Sequence, residues 1–396
     1  MPPVLLTRSG TVGVISVDHP PVNALSHVVR EALAAVLAAA ADDPKLKSIL
    51  IICEGKTFFA GADIREFGQK PREPRIRGLA QQIEDGAKPV VAAIHGTALG
   101  GGLELALGCH YRIAAAGSRF GLPEVKLGLV PGGGGTQRLP RLIGVERALD
   151  LIVAGEIIDA RKALSLGIVD AIVSGSLRDE ALAFSERLPA RVMASRRIGL
   201  RNISGVTPEW LDAAEKRVAR RARGLLAPLH CAKAVRAACE LPLSEGVRAE
   251  AILAEGLVGT SQARALRHVF FSERKAAGKN LLRAGAELRA AYVETIAALL
   301  REGATVSRLK AVLRRFGFER VGAHFPGSAD GRSGANVRPD DQVMLQRVLH
   351  ALHRAGEACF DEAAGIGPAE IDVTAIRTIG FPTYRGGPMF IIGEEI

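Results

Sequence analysis

Hydrophobic and polar positions follow two regimes along the chain. As far as about residue 176, short apolar runs of strand length alternate with longer stretches of helical period. Thr11 to Val17 reads as a strand, Leu25 to Ala41 as an Ala/Leu-rich helix, and Ser48 to Cys53 as a β-branched run of strand length. Val90 to Ile94 is a buried-strand candidate that runs into Gly96 to Gly102 and then a helix from Leu103 to about Leu107. Tyr111 to Ala115 is a third such strand, followed by Phe120-Gly-Leu-Pro-Glu124 and the glycine cluster Gly132 to Gly135. Glycines thus sit where strand turns into helix, which is where the chain bends sharply or comes close to a ligand. From Leu177 onward Ala, Arg, Leu and Glu dominate with helical spacing and the strand signal fades.

The polar stretch Ser272 to Asn280 marks a boundary, so the pattern predicts an α/β domain over 1–280 and an all-α domain over 281–396. The second domain carries a worn internal duplication. A helix leading to Glu302 and ending in Phe316-Gly317-Phe318 is echoed by one leading to Asp361 and ending in Ile379-Gly380-Phe381. Between them, His324 to Asp340 has the Gly, Ser, Asn and Pro content of a loop.

Composition narrows the function classes. With 396 residues and 48% hydrophobic content, there is enough apolar surface for more than one buried core. A net charge of +10 favours an anionic partner, but aromatics are only 4% and no dense Lys/Arg run occurs, so nucleic acid is not expected and a phosphorylated small ligand fits better. Five scattered cysteines without a C-x-x-C pair read as reduced thiols. The first residues lack the pattern of a signal peptide, the last four match no retention or peroxisomal signal, and no long uncharged apolar run occurs; a cytoplasmic protein with no membrane association is expected.

Two stretches, Phe58 to Asp63 and Leu99 to Glu104, are able to offer backbone donors at one point. In the second, three glycines precede a helix, so free N–H groups and the helix dipole can face an anion such as a thioester enolate. Two carboxylates accompany them, Glu104 in the first turn of that helix and Glu124 after Pro123. Apolar surroundings raise such carboxyl pKa values and let one group act as acid while the other acts as base. Each feature also has a structural use: a glycine-rich turn packs closely, a first-turn Glu complements the helix dipole, and Asp63 can cap the turn that follows it.

Taken in order, the motifs Pro20-Pro-Val-Asn-Ala-Leu25, Phe59-Ala-Gly-Ala-Asp-Ile64, Ala98-Leu-Gly-Gly-Gly-Leu-Glu104 and Phe120-Gly-Leu-Pro-Glu124 through Leu139 make residues 1 to about 278 resemble the enoyl-CoA hydratase/isomerase (crotonase) family. The resemblance implies a ClpP-like spiral of β-β-α units with a helical extension. It implies an oxyanion hole from the N–H groups of Ala62 and Gly101, and Glu104 and Glu124 as the two hydratase carboxylates. It also implies coenzyme A held around Ala60, Asp63 and Ile64 and by a basic group, for which Lys275 is the candidate. The activity implied is syn hydration of trans-2-enoyl-CoA in fatty-acid β-oxidation, with isomerisation through Glu124 as a side activity.

Residues 281–396 look like the helical C-terminal region of 3-hydroxyacyl-CoA dehydrogenases, chiefly at Ile371-Asp-Val and Gly380 to Met389. In multifunctional β-oxidation enzymes a dinucleotide-binding domain lies between the two parts. No G-x-G-x-x-G occurs here, so that domain is read as missing and no cofactor, NAD included, is expected. Gly322-Ala-His324 faintly resembles the dehydrogenase histidine segment but is read as loop, and His350 and His353 as surface residues rather than metal ligands. Two other readings remain: a hydratase/dehydrogenase that binds NAD, and a non-catalytic acyl-CoA-binding protein. Oligomeric state is not legible, since fusion to a helical tail changes the setting in which crotonase relatives form trimers.

Overall fold

The computed structural model describes all residues except 1, 67, 193, 320, 322–324, 326–338 and 394–396. The chain divides into two compact units, Met1–Gly259 and Thr260–Ile396.

The first unit is built around a six-stranded sheet. β1 (Val4–Ser9) and β2 (Val12–Val17) form an antiparallel hairpin, and α1 (His27–Asp42) leads to β3 (Ser48–Cys53), which lies parallel to β2. α2 (Ile76–Asp85) precedes β4 (Val90–Ile94), β5 (Thr97–Leu99) and α3 (Gly101–Gly108). β6 (Tyr111–Ala115) and β7 (Arg119–Gly121) follow, then α4 (Gly135–Ile143) and α5 (Val145–Ala154). β8 (Ile157–Asp159), α6 (Ala160–Ser165), β9 (Ala171–Val173) and α7 (Leu177–Glu186) complete the α/β part. α8 (Pro208–Ala222), α9 (Leu226–Glu240) and α10 (Leu243–Val258) end the unit.

The large sheet runs β1-β2-β3-β4-β6-β9 and a small one runs β5-β7-β8. Every residue of β3 and β4 is buried, as continuous apolar runs in a covered parallel sheet must be. Successive turns of chain each place one strand in the large sheet, a short one in the small sheet and then a helix: β4-β5-α3, then β6-β7-α4. This is the expected β-β-α spiral, and the predicted strands at 48–53, 90–94 and 111–115 coincide with the observed ones.

The second unit contains α11 (Ser261–Ala276), α12 (Leu282–Arg301), α13 (Val306–Phe316), α14 (Asp341–Glu357), α15 (Pro368–Ile379) and α16 (Pro388–Gly393). The division falls after Gly259 rather than at 280, because α11 runs through most of the polar stretch and belongs with the later helices. Beyond its end, Lys279 Nζ bonds Glu370 Oε1 at 2.6 Å. The two halves of the suspected duplication correspond to α12 followed by α13 and α14 followed by α15. In each pair the second helix ends on a left-handed glycine, Gly317 (φ 118°) or Gly380 (φ 71°), followed by a buried phenylalanine. Phe318 and Phe381 meet edge to face with ring centroids 5.2 Å apart. The predicted loop 324–340 lies mostly outside the described residues, as does His324. His350 and His353 sit on α14 with Nδ1 near the carbonyl oxygens of Gln346 (2.9 Å) and Pro388 (3.4 Å).

Candidate active site

Three consecutive passes of the spiral bring the predicted residues together. β5 and β7 are parallel neighbours in which Leu99 pairs with Gly121, and Gly100 N donates to Gly121 O at 2.9 Å. The chain continues from the first strand to Glu104 on α3 and from the second to Glu124 in the 3₁₀ turn Pro123–Leu127. Both carboxylates therefore emerge from the same edge of the small sheet. The previous pass runs alongside: Leu99 N donates to Phe59 O at 3.3 Å, which sets residues 59–62 against the start of α3.

At that start the glycines are required by space. A Cβ on Gly102 would lie 2.1 Å from Phe59 O, and one on Gly100, whose φ is +51°, would lie 2.7 Å from Glu124 Oε1. The Cβ position of Gly101 is 3.2 Å from Ala62 N. Gly101 is the first residue of α3, so its N–H precedes the helix's own hydrogen-bond ladder. Ala62 N thus lies close to the first residue of α3, beside the positive end of that helix.

The two carboxyl groups have opposite surroundings. Glu104 is 2% exposed, and its Oε1 accepts from Gly133 N at 2.7 Å and Gly135 N at 2.9 Å. Burial raises its pKa, while those two donors and the Arg138 guanidinium work against the rise. Glu124 Oε2 is sealed from solvent and has no hydrogen-bond partner among the described residues. Burial, then the charge of Glu104, pushes its pKa well above the ordinary carboxylate value. Two donors favour the ionised form of Glu104, and a buried oxygen without partners favours the protonated form of Glu124. Both pKa values are raised, but only that of Glu104 is held back by two backbone donors and a guanidinium, so the two carboxyl groups titrate apart.

The other expected residues have mixed placements. Asp63 Oδ1 accepts from Arg65 N at 3.0 Å and its Oδ2 pairs with the Arg65 guanidinium at 2.8 Å, so its side chain caps the short turn Ile64–Glu66. Ala60 and Ile64 flank it, half-buried. Lys275 is an exposed residue of α11 in the second unit.

Two further side chains belong to the site. Ile76, the first residue of α2, reaches within 2.6 Å of the Cβ position of Gly101 and 2.8 Å of that of Gly133. Glu250 on α10 is fully buried and accepts hydrogen bonds from Gly134 and Thr136, on the loop that holds Glu104. Glu250 is one of three glutamates in the amphipathic stretch 243–258, and nothing in the sequence there singles it out. Among the described residues no group of three His, Cys, Asp or Glu side chains is placed to hold a metal ion.

The spiral of β-β-α passes is the crotonase fold, and the comparisons agree. The enoyl-CoA hydratase/isomerase family model matches residues 7–199. A probable enoyl-CoA hydratase of Bacillus subtilis (strain 168) is 46% identical over 191 residues, covering 45% of this chain and 74% of that protein. The chain belongs to the enoyl-CoA hydratase/isomerase family. The peroxisomal bifunctional enzyme of Danio rerio is 47% identical over 276 residues, covering 69% of this chain and 38% of that protein. The chain thus spans little more than a third of that relative. Among solved structures, carnitinyl-CoA hydratase from Mycobacterium avium aligns with a TM-score of 0.51 at 28% identity, over 69% of this chain and 97% of that one. Among the described residues no helix is long and apolar enough to cross a membrane.

Proposed function

We propose that the first unit hydrates trans-2-enoyl-CoA thioesters to 3-hydroxyacyl-CoA in fatty-acid β-oxidation. The observation that carries the reading is the contrast between Glu104, held by the Gly133 and Gly135 N–H groups, and Glu124, whose buried Oε2 has no hydrogen-bond partner among the described residues, at the glycine turn beside Ala62. Glu104 orients a water molecule and takes one of its protons as the oxygen bonds to the β-carbon. The electron pair of the double bond moves into the thioester, and the enolate oxygen is stabilised by the N–H groups of Ala62 and Gly101, each a contribution of about 3 kcal/mol. Glu124 then delivers its proton to the α-carbon. Passing the proton on Glu104 back to Glu124 restores the starting state. The step balances without oxidant or reductant, so NAD has no part in it.

Glu124 also supports a second reaction in the same site. In its ionised form Glu124 can take a proton from the α-carbon of a 3-enoyl thioester and return it at the γ-carbon of the resulting dienolate, or the reverse, which is double-bond isomerisation. Ala60, Asp63, Ile64 and Lys275 are assigned to coenzyme A on resemblance alone, and Asp63 acts at most through its backbone, since its carboxylate is engaged by Arg65. The cytosolic placement rests on five unpaired thiols, Cys53, Cys109, Cys231, Cys239 and Cys359, whereas relatives in fish and human are named peroxisomal.

The test follows loss of enone absorbance with a short trans-2-enoyl-CoA in the parent, Glu104→Gln and Glu124→Gln, with NAD added afterwards. Hydration in the parent, a fall of about 10²- to 10⁴-fold in either variant and no NADH support the reading. No turnover at several chain lengths would move a binding role ahead of it. NADH would make the chain a bifunctional hydratase/dehydrogenase.

A further inference from the structure

We propose that Glu250 is a positioning residue for the hydration reaction, holding the glycine loop in the one conformation in which Gly133 and Gly135 orient Glu104. The inference rests on the hydratase reading above and concerns the same site.

Four successive backbone N–H groups alternate between two carboxylates. Gly133 and Gly135 donate to Glu104 Oε1 at 2.7 and 2.9 Å, while Gly134 donates to Glu250 Oε1 at 2.6 Å and Thr136 to Glu250 Oε2 at 2.9 Å. Such alternation needs neighbouring amides to face opposite ways. Gly134, with φ +97°, supplies the left-handed turn that reverses them. The loop is gripped from α3 on one side and α10 on the other, so neither carboxylate can shift without dragging amides bonded to its counterpart.

Among the described residues Glu250 accepts three hydrogen bonds, from Gly134 N, Thr136 N and Thr136 Oγ1. Thr136 Oγ1 lies 2.5 Å from Glu250 Oε2 and itself accepts from Gln137 Nε2 at 2.8 Å, which directs the threonine hydrogen toward the carboxylate. Gln137 Nε2 is in turn fixed by Ala234 O at 2.8 Å. Among the described residues no cation is paired with this buried group, and the Arg138 guanidinium pairs with Glu84 at 2.9 Å. Burial, then the charge of Glu104, pushes the Glu250 pKa up to about 8 against the pull of its three donors, and above that pH its charge acts on the groups around it. Those are Glu104 on α3, Glu124 after β7, Arg138 on α4 and Cys231 on α9. The charge favours the protonated form of Glu124, the acid of the reaction.

Glu250→Gln keeps the shape but puts an amide where two donors converge. Thr136→Val, which removes only the hydroxyl donor, is the milder companion. Steady-state hydration across pH, thermal melting and amide hydrogen exchange of peptides spanning 130–139 are measured on the full chain. In Glu250→Gln, kcat falls on the order of 10²-fold, as expected for a displaced base, with KM unchanged. The basic limb of the pH profile moves to lower pH, and exchange in 130–139 quickens. Thr136→Val moves the same readouts less. A parent-like kcat with an unmoved basic limb overturns the proposal. So does a loss in which kcat, KM and melting temperature worsen together while the limb stays put. If Glu250→Gln does not fold, Thr136→Val decides by the same criteria. If the parent itself does not hydrate enoyl-CoA, the hydratase reading fails separately, and unchanged exchange in 130–139 would still refute the clamp.

Discussion

Replacing Gly133 with alanine puts a methyl carbon 2.5 Å from Glu104 Oε2, 2.8 Å from its Cδ and 2.8 Å from Ile76 Cγ2. Ordinary contact for such a carbon begins at 3.4 Å, so the carboxylate oxygen has to retreat by about 0.9 Å and the isoleucine by about 0.6 Å. The carboxylate has little room to do so, since its Oε1 is tied to Gly133 N and Gly135 N. Misplacing a reacting group by about 1 Å costs on the order of 10²-fold in rate. Overpacking a tight interior costs about 1–3 kcal/mol of stability. The Gly133→Ala protein should therefore fold and melt lower, with kcat for a short trans-2-enoyl-CoA down about a hundredfold and KM little changed. Gly78→Ala is the control: Gly78 lies within α2 with nothing within 4 Å of its Cβ position, and alanine there should raise stability by about 0.5–1 kcal/mol at parent kcat. Parent activity in Gly133→Ala, measured by loss of enone absorbance, would show that Glu104 is not confined as described.

The carboxylate pair sets further expectations. The kcat profile should be bell-shaped: activity is lost as pH falls through the raised pKa of Glu104, which must be ionised, and lost again as pH rises through that of Glu124, which must be protonated. A profile flat on the alkaline side would exclude Glu124 as the acid. For stability the Glu124 shift works the other way. Between the ordinary value of 4.5 and its raised value, the folded chain keeps a proton the unfolded chain has lost, so rising pH destabilises the fold. Glu124→Gln should accordingly melt above the parent at about pH 8, with the gain vanishing below the ordinary carboxyl pKa; an equal or lower melting point there would contradict it. In the second unit, Phe381→Ala removes a buried ring packed against Phe316 and Phe318 and should cost about 3–5 kcal/mol in denaturant unfolding.

Much of this architecture was legible because the residues that build it are local signals. Runs such as Ser48 to Cys53 and Val90 to Ile94 are too apolar for anything but covered strands, and both stand where the pattern placed them. The carboxylates were legible because each lies within a few residues of a glycine turn, and parallel pairing of β5 with β7 then makes them neighbours. The boundary at 280 failed for an equally local reason. SERKAAGKN is polar because it forms the exposed face and end of α11, not because the chain is leaving a domain.

Glu250 shows what local signals leave out. It lies 116 residues from Gly134, on a helix whose other charged side chains face solvent or are only partly covered, and nothing in 243–258 distinguishes it from the neighbouring Glu245 or Glu255. Its importance comes from the partner: a loop of four glycines exposes consecutive N–H groups, and only half of them can point at Glu104. The remainder face the other way into a dry interior, where an unpaired amide costs about 1–3 kcal/mol, so some acceptor has to come from a distant element. A buried acceptor for the outward half of this glycine loop is thus a requirement that the sequence of the loop imposes, and what is left for the tertiary structure to decide is which residue meets it.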